Sequence, residues 1–358
     1  MNDTSVSQLS TNLPTPSTEA AEQRSLLDWL EYGFVRVGVL PPLLIIAIIV
    51  FSRMSSNFLA VDNFENVVRQ NTFLIIVALG QMLVLLTGGF DLSVGAGTAL
   101  VSVLTATVMA SIYDDGTGSV GFAIALGITV GVLAGGGIGL VNGIGVSVFR
   151  VSPFIMTLGT SSIAVGLALY TTSGVPVRGM PPRFSDIFGF GEWGGLATPI
   201  WITGAVVVIV SVVLNWTRLG RYLYAIGGNA NAATLSGVTV RTNLTAAYVM
   251  AGLLMGLSSV LLTGRLETGE ANIGTNLPLQ SIAACVIGGV SLRGGIGRVS
   301  NVVLGALFIG IVQNGMNLAR IQSFMQMIVL GSLLIIAVIA DQFRQRSLSR
   351  LAATGVLG

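Results

Sequence analysis

The chain has 358 residues, of which 53% are hydrophobic and only 9% are charged, whereas about 25% charged residues is usual for a soluble domain. So few charged residues cannot cover a water-exposed surface, and the composition therefore indicates an integral membrane protein. The sequence contains no lysine and no histidine, which excludes a P-loop ATPase, a zincin and a Ser-His-Asp hydrolase. We therefore expect no catalytic residues and no metal site, and the single cysteine, Cys285, excludes an intrachain disulfide. The net charge of +2 gives no indication of a nucleic-acid partner.

The N-terminal segment differs from the rest of the chain in composition. Residues 1–22 are rich in serine, threonine, asparagine and proline, which predicts a disordered tail, and they lack the apolar segment of a signal peptide. Further on, Leu26, Leu30 and Phe34 share one helical face and predict a helix at the membrane interface. Residues 1–35 are therefore assigned to a cytoplasmic tail with an interfacial helix.

Long apolar runs predict ten membrane spans, because about 20 mostly apolar residues are needed to cross the hydrocarbon core. The predicted spans are 37–52, 66–87, 92–112, 119–147, 154–172, 197–215, 242–263, 277–290, 299–318 and 322–340. This is an all-α integral membrane fold with a transmembrane domain at 36–340 and a cytoplasmic tail at 341–358. A cytoplasmic N-terminus places eleven arginines inside and six outside, which predicts that both termini are cytoplasmic.

A glycine-rich turn follows the second predicted span, where residues 87–95 read TGGFDLSVG. The two adjacent glycines allow a tight backbone turn, and Asp91 and Ser93 are suited to cap the first turn of the next helix. A part for this segment in substrate passage or gating is the alternative hypothesis.

Five glycines recur at every fourth residue of the fourth predicted span, namely Gly127, Gly131, Gly135, Gly139 and Gly143. Small residues at this spacing let two helix backbones approach closely in lipid. We predict that this glycine stripe packs against another helix of the same subunit. A dimer interface and a substrate path are the alternatives.

A polar segment with three arginines, residues 218–241, separates the sixth and seventh predicted spans. The positive-inside bias places this segment on the cytoplasmic side of the membrane. Good helix formers between Asn229 and Leu235, followed by Gly237 as a stop signal, predict a short helix on the membrane surface.

Four motifs together resemble signatures of the ribose-type permeases of bacterial ABC importers. They are TGGFDLSVG at 87–95, RVSPFIMTLG at 150–159, GGNANAATLSGV at 227–238 and IGGVSLRGGIGR at 287–298. The resemblance covers about residues 64–341. Ser152 stands where that family more usually has proline, and Ala230 and Asn231 follow the asparagine where a glutamate is usual.

The resemblance implies a fold like that of the type II importer permeases, with a cytoplasmic loop at 216–241 that docks on a partner ATPase. The residues implied to form the docking site are Gly228, Asn229, Ala232, Ala233, Leu235, Ser236 and Gly237. Magnesium-bound ATP would be held by that ATPase, and this chain would need no cofactor. The other implied partners are a periplasmic or extracellular sugar-binding protein, a second permease copy or paralogue, and membrane lipid. The implied location is the bacterial inner membrane, as a multi-pass protein.

The cargo implied by the resemblance is a neutral monosaccharide or a related polyol, which amides, hydroxyls and aromatic surfaces recognise. Polar residues in or beside the predicted spans are therefore candidates for a substrate pathway: Gln81, Asp91, Asn142, Asn314 and Asn317. Each of these side chains could equally satisfy a polar group of a neighbouring helix.

Two other transport functions are alternatives. Branched-chain amino-acid permeases belong to the same broad superfamily and would carry a different cargo. An ion-coupled secondary transporter or channel would commonly place an ionisable residue within its spans, whereas the acidic residues here cluster at predicted span ends.

Overall fold

The computed structural model describes residues 40–114 and 119–353. The predicted tail and interfacial helix at 1–35 lie outside the described residues. In chain order the helices are α1 (Leu40–Met54), α2 (Val61–Leu85), α3 (Val94–Asp114), α4 (Val120–Ser147), α5 (Pro153–Thr172), α6 (Thr198–Trp216), α7 (Arg218–Gly228), α8 (Ala230–Leu235), α9 (Val240–Leu266), α10 (Leu277–Ile287), α11 (Val299–Leu318) and α12 (Ser323–Ala353).

An apolar helix occupies each of the ten predicted spans, which confirms the all-α membrane fold. In the part of the chain that the structure describes, eight helices are long and apolar enough to cross a membrane. The other two apolar helices, α1 and α10, are shorter, with 15 and 11 residues.

Helix α2 lies at the centre of the bundle. Every side chain from Leu74 to Leu86 is buried, and the helix packs against α6, α9, α10 and α11. A helix that is apolar on all sides is typical of such an interior position. By contrast, most side chains of α5, of α6 and of residues 323–340 in α12 are not buried, as expected for helices that face lipid.

The glycine stripe of α4 packs against α9 of the same chain. A Cβ atom at Gly135 would lie against the carbonyl oxygen of Gly252 and 2.8 Å from the Cα of Gly256. At the end of the stripe, a Cβ at Gly143 would lie 2.9 Å from the Cα of Thr245. The two backbones are thus in direct contact along much of the helix, and the prediction of packing within the subunit is confirmed.

The segment between α5 and α6 is folded onto the end of α9. It contains a helical turn (Pro182–Phe184), a π-helical turn (Ser185–Gly189) and a hairpin of β1 (Glu192–Trp193) and β2 (Leu196–Ala197). Val177 exchanges two backbone hydrogen bonds of 2.8 and 2.9 Å with Gly269, just beyond α9. The indole nitrogen of Trp201 donates to the carbonyl of Trp193 at 2.9 Å, so the hairpin is also tied to α6.

Candidate functional site

The polar loop between α6 and α9 contains two helices, α7 and α8, whereas sequence analysis predicted only the second. In α7, Leu223 and Ile226 are buried and Leu219 packs against the core, while Arg218 and Arg221 are exposed. Apolar residues at i, i+4 and i+7 are the signal of an amphipathic helix. That signal was present in the sequence and would have predicted α7.

Helix α8 has the boundaries that its end residues predict. The Asn229 side chain accepts a hydrogen bond of 3.0 Å from the N–H of Ala232, so it caps the N-terminus. At the other end Gly237 has a φ of 83°, and the N–H of Val238 bonds the carbonyl of Ala233 at 3.0 Å. This is the Schellman arrangement that glycine favours because it has no Cβ atom. The predicted surface helix is therefore present.

One side chain of α8 is buried, and the others are exposed to solvent. Ala233 is 5% exposed, so it packs α8 against the rest of the chain. Leu235 is 90% exposed, the highest value of any large hydrophobic side chain in the described residues. The remaining residues of the predicted docking site are all exposed: Gly228, Asn229, Ala232, Ser236 and Gly237. An apolar side chain held this far into solvent suits contact with another protein.

The C-terminal end of α7 packs against two glycine-rich turns. A Cβ atom at Gly227 would overlap the carbonyl oxygen of Leu86, at the end of α2, and the backbone nitrogen of Gly295, before α11. Those two groups are themselves hydrogen-bonded at 2.9 Å. Gly294 would place a Cβ 2.8 Å from the nitrogen of Gly88. We call the two turns, residues 86–88 and 291–297, together with the end of α7 at residues 227–228, the glycine junction. It brings together three of the four sequence motifs.

Tyr224 of α7 adds a side-chain link to the same junction. Its hydroxyl donates a hydrogen bond of 2.9 Å to the carbonyl of Gly297. Burial raises the pKa of this phenol, and the guanidinium of Arg298 opposes that shift. The hydroxyl therefore stays protonated at neutral pH and can act as the donor. Helix α7 is thus fixed to the turn that leads directly into α11.

The segment that follows the junction, residues 90–93, is not helical, and side chains from neighbouring helices satisfy several of its peptide groups. Non-helical backbone at membrane depth requires such partners, because lipid offers none. The Gln81 amide, oriented to satisfy both of its groups, pairs with both peptide groups of Asp91. The Gln81 amide oxygen lies 3.2 Å from the Asp91 nitrogen, and the Gln81 amide nitrogen lies 3.1 Å from the Asp91 carbonyl oxygen. The Tyr248 hydroxyl donates to the Phe90 carbonyl at 3.3 Å. The Leu92 N–H donates to the Thr157 hydroxyl at 3.1 Å.

The side chains of this segment also pair with one another, and their role differs from the predicted capping. The Asp91 carboxylate accepts hydrogen bonds from the N–H and the hydroxyl of Ser93, at 2.9 and 2.6 Å. The Asn142 amide of α4 donates to the same hydroxyl at 2.8 Å. In the described residues, neither the Asp91 nor the Ser93 side chain accepts a hydrogen bond from a backbone N–H of the first turn of α3. Both side chains instead stabilise the non-helical segment before the helix.

The other two candidate pathway residues lie on α11. Asn314 exchanges two amide hydrogen bonds of 2.9 and 2.8 Å with Asn63 of α2, so its polar groups are engaged within the fold. Asn317 is exposed, accepts a bond of 2.8 Å from Gln326 of α12 and borders a polar cavity. Of the five candidates, Asn317 is therefore the one that the structure places beside open space.

Sequence comparison with known proteins identifies the family of this chain. The family described as "Branched-chain amino acid transport system / permease component" matches residues 63–338. The chain belongs to this permease family. With its apolar helices, it is a multi-pass protein of the bacterial inner membrane and a transport subunit rather than an enzyme.

Several curated permeases are similar to this one over most of their length. The ribose import permease of Escherichia coli (strain K12) is 37% identical over 305 residues, or 84% of this chain and 92% of that protein. The ribose import permease of Bacillus subtilis (strain 168) is 38% identical over 300 residues, or 84% and 90%. The D-allose transport system permease of Escherichia coli (strain K12) is 33% identical over 329 residues, or 91% and 96%. No solved structure matches this permease significantly.

Proposed function

We propose that this chain is the membrane-spanning permease subunit of an ATP-driven importer of a neutral monosaccharide or related polyol. In this proposal residues 36–340 form the transmembrane domain, 1–35 and 341–358 are cytoplasmic tails, and 216–241 is the loop that docks on a partner ATPase. An external binding protein delivers the sugar, and a second copy or a related permease completes the pathway.

The observation that carries the proposal is the contact of the α7–α8 loop with the turns of the glycine junction. Helix α8 presents Leu235 outward, while α7 contacts the end of α2 through Gly227 and the start of α11 through Tyr224. A movement imposed on the loop from outside would therefore act directly on two helices of the bundle. The free energy of ATP binding and hydrolysis can be transmitted to the bundle in this way, if the two states of the ATPase make different contacts with the loop.

Import of a branched-chain amino acid is the second candidate, because the family description names that cargo. The relatives favour sugar, since the similar curated proteins include permeases for ribose, allose and L-arabinose. Ion coupling is less well supported, because the acidic residues of α2 and α3 lie near helix ends, at Asp62, Glu65 and Asp114. The buried carboxylate between these helices, Asp91, is already engaged by the N–H and hydroxyl of Ser93.

Measurement of ATP hydrolysis tests the proposal that the partner ATPase, and not the permease, hydrolyses ATP. The sequence has no lysine for a P-loop, so we expect the purified permease alone to hydrolyse no ATP above background. Activity should appear when the partner ATPase is added, and a catalytic-site variant of that ATPase should abolish it. Hydrolysis by the isolated permease at the rate of the complex would contradict the proposal.

A further inference from the structure

A cavity of about 250 Å³ lies between α2, α11 and α12. Five of the seven residues that line it have side-chain amides, and none of the seven is charged: Val67, Gln70, Asn71, Gly310, Gln313, Asn317 and Gln326. The volume is close to the lower end of the range of about 300–1,000 Å³ that is typical of small-molecule sites. The cavity is therefore of a size for one small polar molecule.

Much of the hydrogen-bonding capacity of these amides is unused. In the described residues, Gln70 and Gln313 make no side-chain hydrogen bond. Asn71, which is 3% exposed, uses its nitrogen in a bond of 3.1 Å to the carbonyl of Val67. The Gln326 nitrogen donates to the Asn317 oxygen at 2.8 Å and to the Ile321 carbonyl at 2.9 Å, and the nitrogen of Asn317 has no acceptor in the described residues. The free groups of these amides include both donors and acceptors, so together they can bind several hydroxyl groups.

Close packing fixes the position of the deepest of these amides. A Cβ atom at Gly310 of α11 would overlap the side chain of Asn71 of α2. The glycine thus leaves the space that the amide occupies at the contact of the two helices. An amide held in place at the base of the cavity loses little entropy when it binds a ligand.

The cavity lies on the two helices that the glycine junction holds, in the half of each helix that is away from the junction. Asn71 is 14 residues from Leu85, and Gln313 is 14 residues from Val299, so each lies about 21 Å along its helix from the junction. A displacement of α2 relative to α11 at the junction would therefore alter the shape of the cavity. A ligand site there would be mechanically connected to the loop.

We propose that this amide cavity is a transient binding site for the neutral sugar on the side of the permease away from the docking loop. The inference rests on the proposed function. The lining favours a polyhydroxyl ligand, because amides match hydroxyl groups as both donors and acceptors. An amino acid carries an ammonium and a carboxylate group, and a site without charged residues leaves both groups without a counter-charge.

The test is sugar uptake by the complete complex in proteoliposomes, with the partner ATPase and binding protein. The probes are D-ribose, L-arabinose and D-allose, together with monodeoxy analogues of whichever sugar is taken up. Gln313→Leu removes the amide at similar side-chain size, and we expect about tenfold lower uptake, which corresponds to one or two lost hydrogen bonds. The preference for the parent sugar over one deoxy analogue should also fall. The binding protein is the same in both complexes, so its own preference cancels in this comparison.

Two further variants complete the test. Gln280→Leu makes the same chemical change beside a separate, mainly apolar cavity, and we expect uptake and deoxy discrimination close to those of the unmodified complex. Gln70→Ala alters an exposed side chain without hydrogen bonds in the described residues, so it should fold normally and still weaken uptake.

The possible failures can be distinguished. No uptake of any of the three sugars by the unmodified complex would contradict the proposed function and this inference with it. Normal uptake and unchanged deoxy discrimination in Gln313→Leu and Gln70→Ala would overturn the cavity assignment alone. Loss of association between permease copies in these variants, with deoxy discrimination unchanged, would also overturn it and would assign the amides to an interface between copies.

Discussion

Gly135→Ile is expected to cause a large loss of stability, at the upper end of the range of about 1–3 kcal/mol for overpacked cores or above it. The reason is that the new Cβ atom alone would meet backbone atoms of Gly252 and Gly256, which cannot rotate away as a side chain can. The two helices must therefore separate along their main contact. The measurement is the thermal unfolding midpoint of the purified permease in detergent.

Gly137→Ile is the matched control, because a Cβ atom at Gly137 has no neighbour within 4 Å. The same residue is introduced into the same helix, two positions away, and isoleucine has a better helix propensity than glycine by a few tenths of a kcal/mol. We expect its midpoint to stay near that of the unmodified protein. Equal midpoints for Gly135→Ile and Gly137→Ile would mean that the stripe does not pack against α9.

The glycine stripe illustrates what a sequence can predict about a membrane fold. A small residue at every fourth position identifies a helix face that another backbone can approach closely. The positions of the ten apolar helices follow from hydropathy. The identity of the partner helix does not follow, because it depends on chain topology. Helix α9 contributes Gly252 and Gly256, a pair that becomes distinctive only once the two helices are side by side.

The candidate site shows a similar division. The caps of α8 were predictable because Asn229 and Gly237 act on their own neighbours in the chain. The glycine junction was not predictable, because it joins segments about 60 to 200 residues apart in sequence. The polar residues Gln81 and Asn142 were selected by type alone. Their role in pairing with the non-helical segment 90–93 appears only when the neighbouring helices are in place.

Leu235→Arg is expected to weaken association with the partner ATPase at least about tenfold. Burial of a leucine side chain contributes about 1.5–3 kcal/mol, and about 1.4 kcal/mol corresponds to a factor of ten in affinity. The variant should fold normally, because Leu235 is 90% exposed and arginine suits the C-terminal end of a helix. The measurement is co-purification of the ATPase with the permease, followed by titration of the ATPase against the immobilised permease.

Leu59→Arg is the control for this charge change. Leu59 is 68% exposed and lies just before α2, at the opposite end of that helix from the glycine junction. We expect this variant to retain the ATPase at normal affinity. Unchanged ATPase affinity of Leu235→Arg would show that α8 does not provide the docking contact.

The most direct test of the account is sugar accumulation by proteoliposomes that contain the permease, its partner ATPase and its binding protein. We predict uptake of at least one of D-ribose, L-arabinose and D-allose that requires ATP on the side of the α7–α8 loop, that persists without proton or sodium gradients, and that Leu235→Arg abolishes. Accumulation driven by an ion gradient without ATP would contradict the account, as would ATP-driven uptake of branched-chain amino acids in place of sugars.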